Sequence, residues 1–334
     1  MLALHAPDGF LEPPVALATA VLSFAILAFA LRTTGDRLQD KQVPLAGVAA
    51  AFIFAAQMFN FPVASGTTGH LLGGALAAIL LGPSIGALVV AIVVVVQALV
   101  FADGGLSALG YNVMNMAIVP AFGGYALFRF FRRFLPSTSS GVVAATALAS
   151  ALSVVLAAAA FSIQWLFGAS APVPFDTVFG AMVGVHLLIG IGEGIISALA
   201  ISAVLAARPD LVEGARDLDR AQLADRRPVT ARTFFAGGII AALLFAVVVS
   251  QFAVDNPDGL EKVAEDEGFI DEGEEHTFGD SLFSDYATDG IDNETLSLAV
   301  AGSTGVAITL AVGYGIFAAV RRKDEPAVER EVPA

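Results

Sequence analysis

VFGAMVGVHLLIGIGEGIISALAISAVLA, residues 178–206, holds only two ionisable side chains, His186 and Glu193. It is longer than the roughly 20 apolar residues a helix needs to cross a bilayer. The rest of the chain has the same character. Of its 334 residues 57% are apolar and 14% charged, with mean hydropathy +0.78, against about 45–50% and about 25% in an ordinary soluble domain. Comparable runs occupy 14–31, 44–61, 70–82, 84–101, 107–131, 142–167, 233–253 and 296–320. The expected fold class is therefore all-α integral membrane, with nine crossings. The third run, 70–82, is short and Gly-interrupted, and irregular backbone is tolerated at membrane depth only where it faces protein or a cavity. Runs 70–82 and 84–101 are read either as two crossings or as a re-entrant pair.

The loops sort by charge. Loop 32–43 carries Arg32, Arg37 and Lys41, and segment 129–140 carries Arg129, Arg132 and Arg133. Segment 207–232 carries Arg208, Arg216, Arg220, Arg226, Arg227 and Arg232, and the tail Arg321, Arg322, Lys323 and Arg330. Only Lys262 falls on the other side. Because Lys and Arg mark cytoplasmic loops, the expected location is a cell (inner or plasma) membrane, with the N-terminus outside and the C-terminus cytoplasmic. The start lacks a basic n-region, so no cleavable signal peptide is expected. Absence of cysteine excludes disulfides, thiolate metal sites and cysteine nucleophiles. The net charge of −14 gives no support to a nucleic-acid partner.

Four parts follow: a seven-helix bundle, 1–206; a charged linker, 207–232; a two-helix module, 233–320, enclosing an outside loop, 254–295; and a tail, 321–334. The loop holds 15 of the 31 acidic residues and five glycines, and it reads as a small ordered hairpin or a solvated cap. Its charge either only hydrates the loop or concentrates cations nearby.

Candidate functional groups are few. Ionisable side chains at membrane depth are costly and mark function, which singles out His186 and Glu193, two turns apart on one helix face. His5 and His70 share the outer side, and neutral imidazole suits Ni, Co, Zn or Cu(II). The alternative is that His5 bonds a loop carbonyl and His70 caps its helix. Asn60, Asn112 and Asn115 lie near span ends or inside spans, as packing groups or as groups that orient a ligand. Neither an HExxH motif nor a GxxxxGK[ST] phosphate loop occurs, so an ATPase site is expected on other polypeptides.

Three stretches carry a resemblance: HAPDGFL (His5–Leu11), NFPVASGTTGHLLGG (Asn60–Gly74) and HLLIGIGE (His186–Glu193). Over residues 4–206 the chain resembles the M-type substrate-capture subunit of energy-coupling-factor cobalt/nickel transporters. PDGLEKVAEDEGF (Pro257–Phe269) resembles the PDGLE-type N component, a two-span accessory protein of the same systems. The resemblance implies capture of Ni²⁺ or Co²⁺ as transported substrate, with no resident cofactor. It also implies a transmembrane coupling (T-type) subunit and cytoplasmic ATPase subunits as partners. It further implies a site of four nitrogens: an N-terminal amine, the backbone nitrogen and imidazole of a second-position His, and a second His. These carry over to His5 and His70, with Asn60, His186 and Glu193 as further candidates around the site or along the path. The pattern departs at the start, where Met-Leu-Ala-Leu precedes His5. Initiation at Leu4, read from an alternative start codon, restores it and makes the Leu4 amine a ligand. The reading from a different class is a capture subunit or secondary transporter for an organic substrate; an intramembrane enzyme would instead use His70, His186 and Glu193.

Overall fold

The computed structural model describes residues 5–35, 38–64, 66–218 and 229–321. Leu4 and most of the tail lie outside the described residues. Within them the chain is mostly helix with almost no strand, helix being the form that satisfies backbone polar groups without water. The helices are α1 (Pro13–Gly35), α2 (Gln42–Gln57), α3 (Gly74–Leu81), α4 (Pro83–Val100), α5 (Leu109–Arg132), α6 (Ser139–Gly168), α7 (Phe175–Ala207), α8 (Ala231–Val247), α9 (Gly259–Glu267) and α10 (Glu294–Val320). Seven of these, α1, α4 to α8 and α10, are long and apolar enough to cross a membrane. A two-stranded ladder pairs β1 (Phe61–Pro62) with β2 (Thr68–Gly69), antiparallel.

The third pass is not the helix that its apolar run suggests. Residues 70–73 form neither helix nor strand, and α3 has only eight residues, about 12 Å at 1.5 Å per residue. Two features stop the helix from starting earlier. Gly73 sits at φ +78°, a conformation that glycine alone adopts freely. The Glu193 carboxylate accepts the N–H groups of Leu72 at 2.7 Å and Gly73 at 3.0 Å, replacing the helical partners those amides would need. α3 then runs to Gly82, beside Glu213, while Gly214 packs on Ile79. α4 returns to Phe101 and Asp103 beside His5. Together α3 and α4 thus traverse the bundle and come back, with the descent half coil and half helix.

The two ends differ in charge. At one lie Lys41–Asp210, Arg132–Asp217, Arg208–Asp210 and Arg321–Asp40, paired at 2.6–3.3 Å. At the other lie His5, His70 and the acidic segment. α8 and α10 pack on α2 through small residues: Gly47 abuts Leu310 and Tyr314, Gly238 meets Val48, and Gly305 lies against the Phe54 ring. Close approach through glycine is how helices associate where lipid removes the hydrophobic drive.

The segment between α8 and α10 is an ordered helical cap and not a hairpin. Asp258 and Glu261 form a capping box at the start of α9: the Asp258 side chain accepts the Glu261 N–H at 2.8 Å and the Glu261 side chain accepts the Asp258 N–H at 3.1 Å. Phe269 wedges between Phe10 and Trp165, with centroids 5.3 and 4.5 Å away.

Candidate metal centre

The strand-like segment before α1 is threaded into the bundle and held on several sides. The Ala6 carbonyl accepts from Gly105 N and from Asn112 Nδ2 at 3.1 and 2.9 Å, and the Pro7 carbonyl accepts from Tyr111 Oη at 2.9 Å. The Asp8 carboxylate accepts the N–H groups of Leu106, Ser107 and Ala108 and the Ser107 hydroxyl. The Asp8 carbonyl accepts Glu274 N–H from the cap at 2.9 Å. Gly9 makes this approach possible: at φ +92°, any Cβ there would strike the Glu272 carbonyl. His5 is buried as a result, 3% exposed.

His70, on the non-helical part of the third pass, meets it there. The two imidazole centroids are 5.8 Å apart. Rings that bind one ion through bonds of about 2 Å have centroids within about 6–7 Å. His5 Nδ1 faces the Asp103 carbonyl at 3.4 Å and carboxylate at 3.5 Å, while its Nε2 is buried with no partner. Burial drives the His5 pKa below 6.5; Asp103 opposes this and His70 adds to it. The ring is therefore neutral, the form that can donate a lone pair to a metal. His70 Nδ1 lies 3.1 Å from the Leu71 carbonyl and its Nε2 3.9 Å from Asp258 of the cap.

A cavity of about 80 Å³ joins these rings to His186, Asn112, Asn115, Met116 and Asp258. His186 Nδ1 lies 2.7 Å from the Met182 carbonyl, so it is the donor and Nε2 carries the lone pair. Asn115 exchanges two 2.8 Å hydrogen bonds with Gln164; it reaches the wall because residues 113–118 of α5 form a π-helical turn, a distortion common at functional sites. Glu193 does not line the cavity: both its oxygens hold the third pass. Asn60 is also outside it, with its carbonyl taking the Val254 N–H at 3.0 Å.

The sequence reading missed four groups: Asp8, Asp103, Asp258 and Tyr286. Tyr286 projects from the cap, stacks on Phe101 with centroids 5.0 Å apart, donates to Asp103 Oδ2 at 2.6 Å and accepts from Gln97 Nε2 at 3.0 Å. Ala102, Asp285 and Tyr286 are the non-glycine residues with positive φ among those described, and all three sit at this contact. Backbone strain gathers where surrounding structure over-determines a functional site. The D-x-x-E spacing of Asp258 and Glu261 could have placed a helix start; nothing local places Asp258 over His70. Burial lifts the Asp258 pKa to about 7, against hydrogen bonds from backbone N–H groups; burial and then repulsion from Asp258 lift that of Glu261 to about 8.

Among the described residues no group of three or more His, Asp and Glu is disposed to hold a metal ion, so two imidazoles would need donors from outside the side chains. GPSIG (82–86) has the G-x-S-x-G spacing of a hydrolase elbow. It joins two helices, where an elbow joins strand to helix, and lies at the end remote from the histidines.

Residues 5–211 match the family described as the cobalt uptake substrate-specific transmembrane region, and residues 232–322 match the PDGLE domain. A putative fused nickel transport protein NikMN of Archaeoglobus fulgidus is 38% identical over 94% of this chain and 98% of its own length. A fused nickel transport protein NikMN of Rhodobacter capsulatus is 33% identical over 63% of this chain and 64% of its own. A crystal structure of a transition metal transporter superposes with TM-score 0.54 at 30% identity, covering 60% of this chain and 92% of that one. The chain is a multi-pass membrane protein and belongs to the cobalt uptake substrate-specific transmembrane family, with a PDGLE domain on the same polypeptide.

Proposed function

We propose that the chain is the substrate-binding membrane component of an energy-coupling-factor transporter that imports Ni²⁺ or Co²⁺. The single observation that carries this is the buried pair His5 and His70, two imidazoles with ring centroids 5.8 Å apart at one end of a helical bundle. Relatives named for nickel and cobalt transport support it. The cavity at the histidines supports it too: about 80 Å³ is small beside the roughly 300–1,000 Å³ of sites for organic molecules.

In this reading the ion is the transported substrate and the protein carries no resident cofactor. His5 and His70 are ligands, joined by the backbone nitrogen of His5 and by the amine of Leu4 as first residue. A small chelate ring through the His5 backbone nitrogen closes only at Nδ1 of that ring, so loading replaces the long Nδ1 contact to Asp103 with a bond to the metal. His186 forms the cavity wall. Glu193 positions His70 through the backbone of Leu72 and Gly73.

The module boundaries follow from the same reading, with 1–206 capturing the ion, 207–232 linking and 233–320 capping. The histidine end faces outside and the Arg-rich end the cytoplasm, as the sorting of basic residues supports. Uptake is driven by a T-type coupling subunit and cytoplasmic ATPase subunits, with no ATPase site on this chain.

The test is metal titration of the full protein with its first residue verified by N-terminal sequencing. His70→Ala is expected to abolish Ni²⁺ and Co²⁺ binding, while His186→Ala retains it. Retention of wild-type affinity by His70→Ala would sink the proposal.

A further inference from the structure

A second cavity, about 220 Å³, lies between the threaded segment and the cap. His5, Pro7 and Phe10 form one wall, Asp258, Glu261, Glu274 and Glu275 much of the other. Its carboxylates are graded in depth. Glu274 and Glu275 are exposed, Glu261 is half-buried, and Asp258 is 5% exposed. Asp258 and His5 line both this cavity and the inner one, so the two spaces share a wall and any group passing between them passes those residues.

Acidic residues alone would only hydrate the surface. Here a second observation points to a ligand. His5 ends in a buried Nε2 without a partner, on the wall common to both spaces, and Glu261 Oε1 is likewise buried and unpartnered although its other oxygen is engaged in the capping box. Asp258 has one oxygen committed to the Glu261 N–H, while the other faces His70 at 3.9 Å. Polar atoms that lack partners at such depth are rare in native structures, and here they share a cavity whose described lining residues include carboxylates and no lysine or arginine. Lys262, the one basic residue of the cap, is turned to Asp266 at 2.6 Å.

Size assigns the ligand's state. A water takes about 30 Å³ of liquid. The outer cavity therefore has room for an ion that keeps several waters, and the inner one only for an ion that has shed most of them. Oxygen donors suit a hydrated divalent ion and imidazole nitrogen a bare transition ion.

We infer that the cavity between the threaded segment and the cap is an acidic vestibule, in which Glu274, Glu275, Glu261 and Asp258 draw in a divalent transition cation through its hydration shell, without ligating it, before it passes to His5 and His70. This rests on the metal-capture reading above and extends it to how the ion arrives. The vestibule is made jointly by both modules: the cap supplies every carboxylate and the bundle the imidazole beneath them.

The test separates rate from affinity, on the full chain in detergent, by rapid mixing with Co²⁺ while a chelating dye reports free metal. Glu274→Gln with Glu275→Gln alters only exposed side chains, and the second variant, Glu261→Gln, keeps an oxygen for the capping box. Both are expected to slow association by about threefold or more at low ionic strength, the scale of electrostatic steering. The deficit should shrink in salt at about 1 M, where the screening length falls to about 3 Å, and Kd should move less than the association rate. Wild-type association rates in both variants at low salt would overturn the vestibule while leaving metal capture standing. Loss of discrimination between wild type and His70→Ala would instead overturn metal capture itself.

Discussion

Tyr286 hangs from the cap yet its hydroxyl ends inside the bundle, between Gln97 and the carboxylate that faces His5. Tyr286→Phe leaves Asp103 Oδ2 and Gln97 Nε2 buried and unpaired, at about 1–3 kcal/mol for each such group. Thermal unfolding of the variant is expected to begin lower, and its Co²⁺ affinity to fall by more than that of Phe283→Leu, a change nearby that touches no polar group. Equal affinity losses in the two would show that the hydroxyl does nothing for the site. Glu193 makes a comparable case from the opposite side. Glu193→Ala strands two backbone amides beside His70, whereas Glu193→Gln keeps one acceptor. The expected order of metal affinity is wild type, Gln, then Ala, read by calorimetric titration. Sequence marked Glu193 as costly at membrane depth, which is right, but its partners are 120 and 121 positions away. Asp103 and Tyr286 gave no mark at all, because an Asp and a Tyr near apolar runs are ordinary until the cap brings them within 2.6 Å.

Among the elements, α3 and α9 show where pattern reading works and where it stops. The apolar run 70–82 marks a buried segment, but hydropathy does not distinguish irregular chain from helix when both are buried. Gly73 at φ +78° decides it. Gly73→Ala would place a side chain in that region and against Ile53, at about 1–2 kcal/mol for the backbone alone, and metal binding should weaken with stability. For α9 the control is pH. Glu261 titrates near 8 when folded and Asp258 near 7, both raised by burial above their unfolded values. Groups raised in this way contribute most below the unfolded pKa, near 4, and lose that contribution as pH climbs through 7 and 8. Hydrogen exchange across 259–267, corrected for intrinsic rate, should therefore quicken relative to the rest of the chain between pH 5 and pH 9. Glu261→Gln should flatten the trend; an unchanged slope would contradict the assignment.

At the scale of the molecule, the sorting of basic residues was legible for the long loops, and the ion pairs Lys41–Asp210, Arg132–Asp217 and Arg321–Asp40 all fall at one end. That sorting left the pair of runs 70–82 and 84–101 open, because their junction carries no charge. The joint between modules was not legible, since it is made of glycines on α2, α8 and α10 that look like any small residues in a greasy helix. That joint has a measurable outcome. A protease site placed within 219–228, outside the described residues, should on cleavage leave two fragments that co-purify and still bind Co²⁺. Separation of the fragments would mean that the covalent link, and not packing, holds the cap.

The interlock of Phe269 with Phe10 and Trp165, and of Tyr286 with Phe101 and Asp103, also bears on inheritance. Lock and key here belong to different modules, so a substitution in one alters the fitness of substitutions in the other. Chimaeras that borrow a cap from a distant relative should fail unless the receiving residues travel with it.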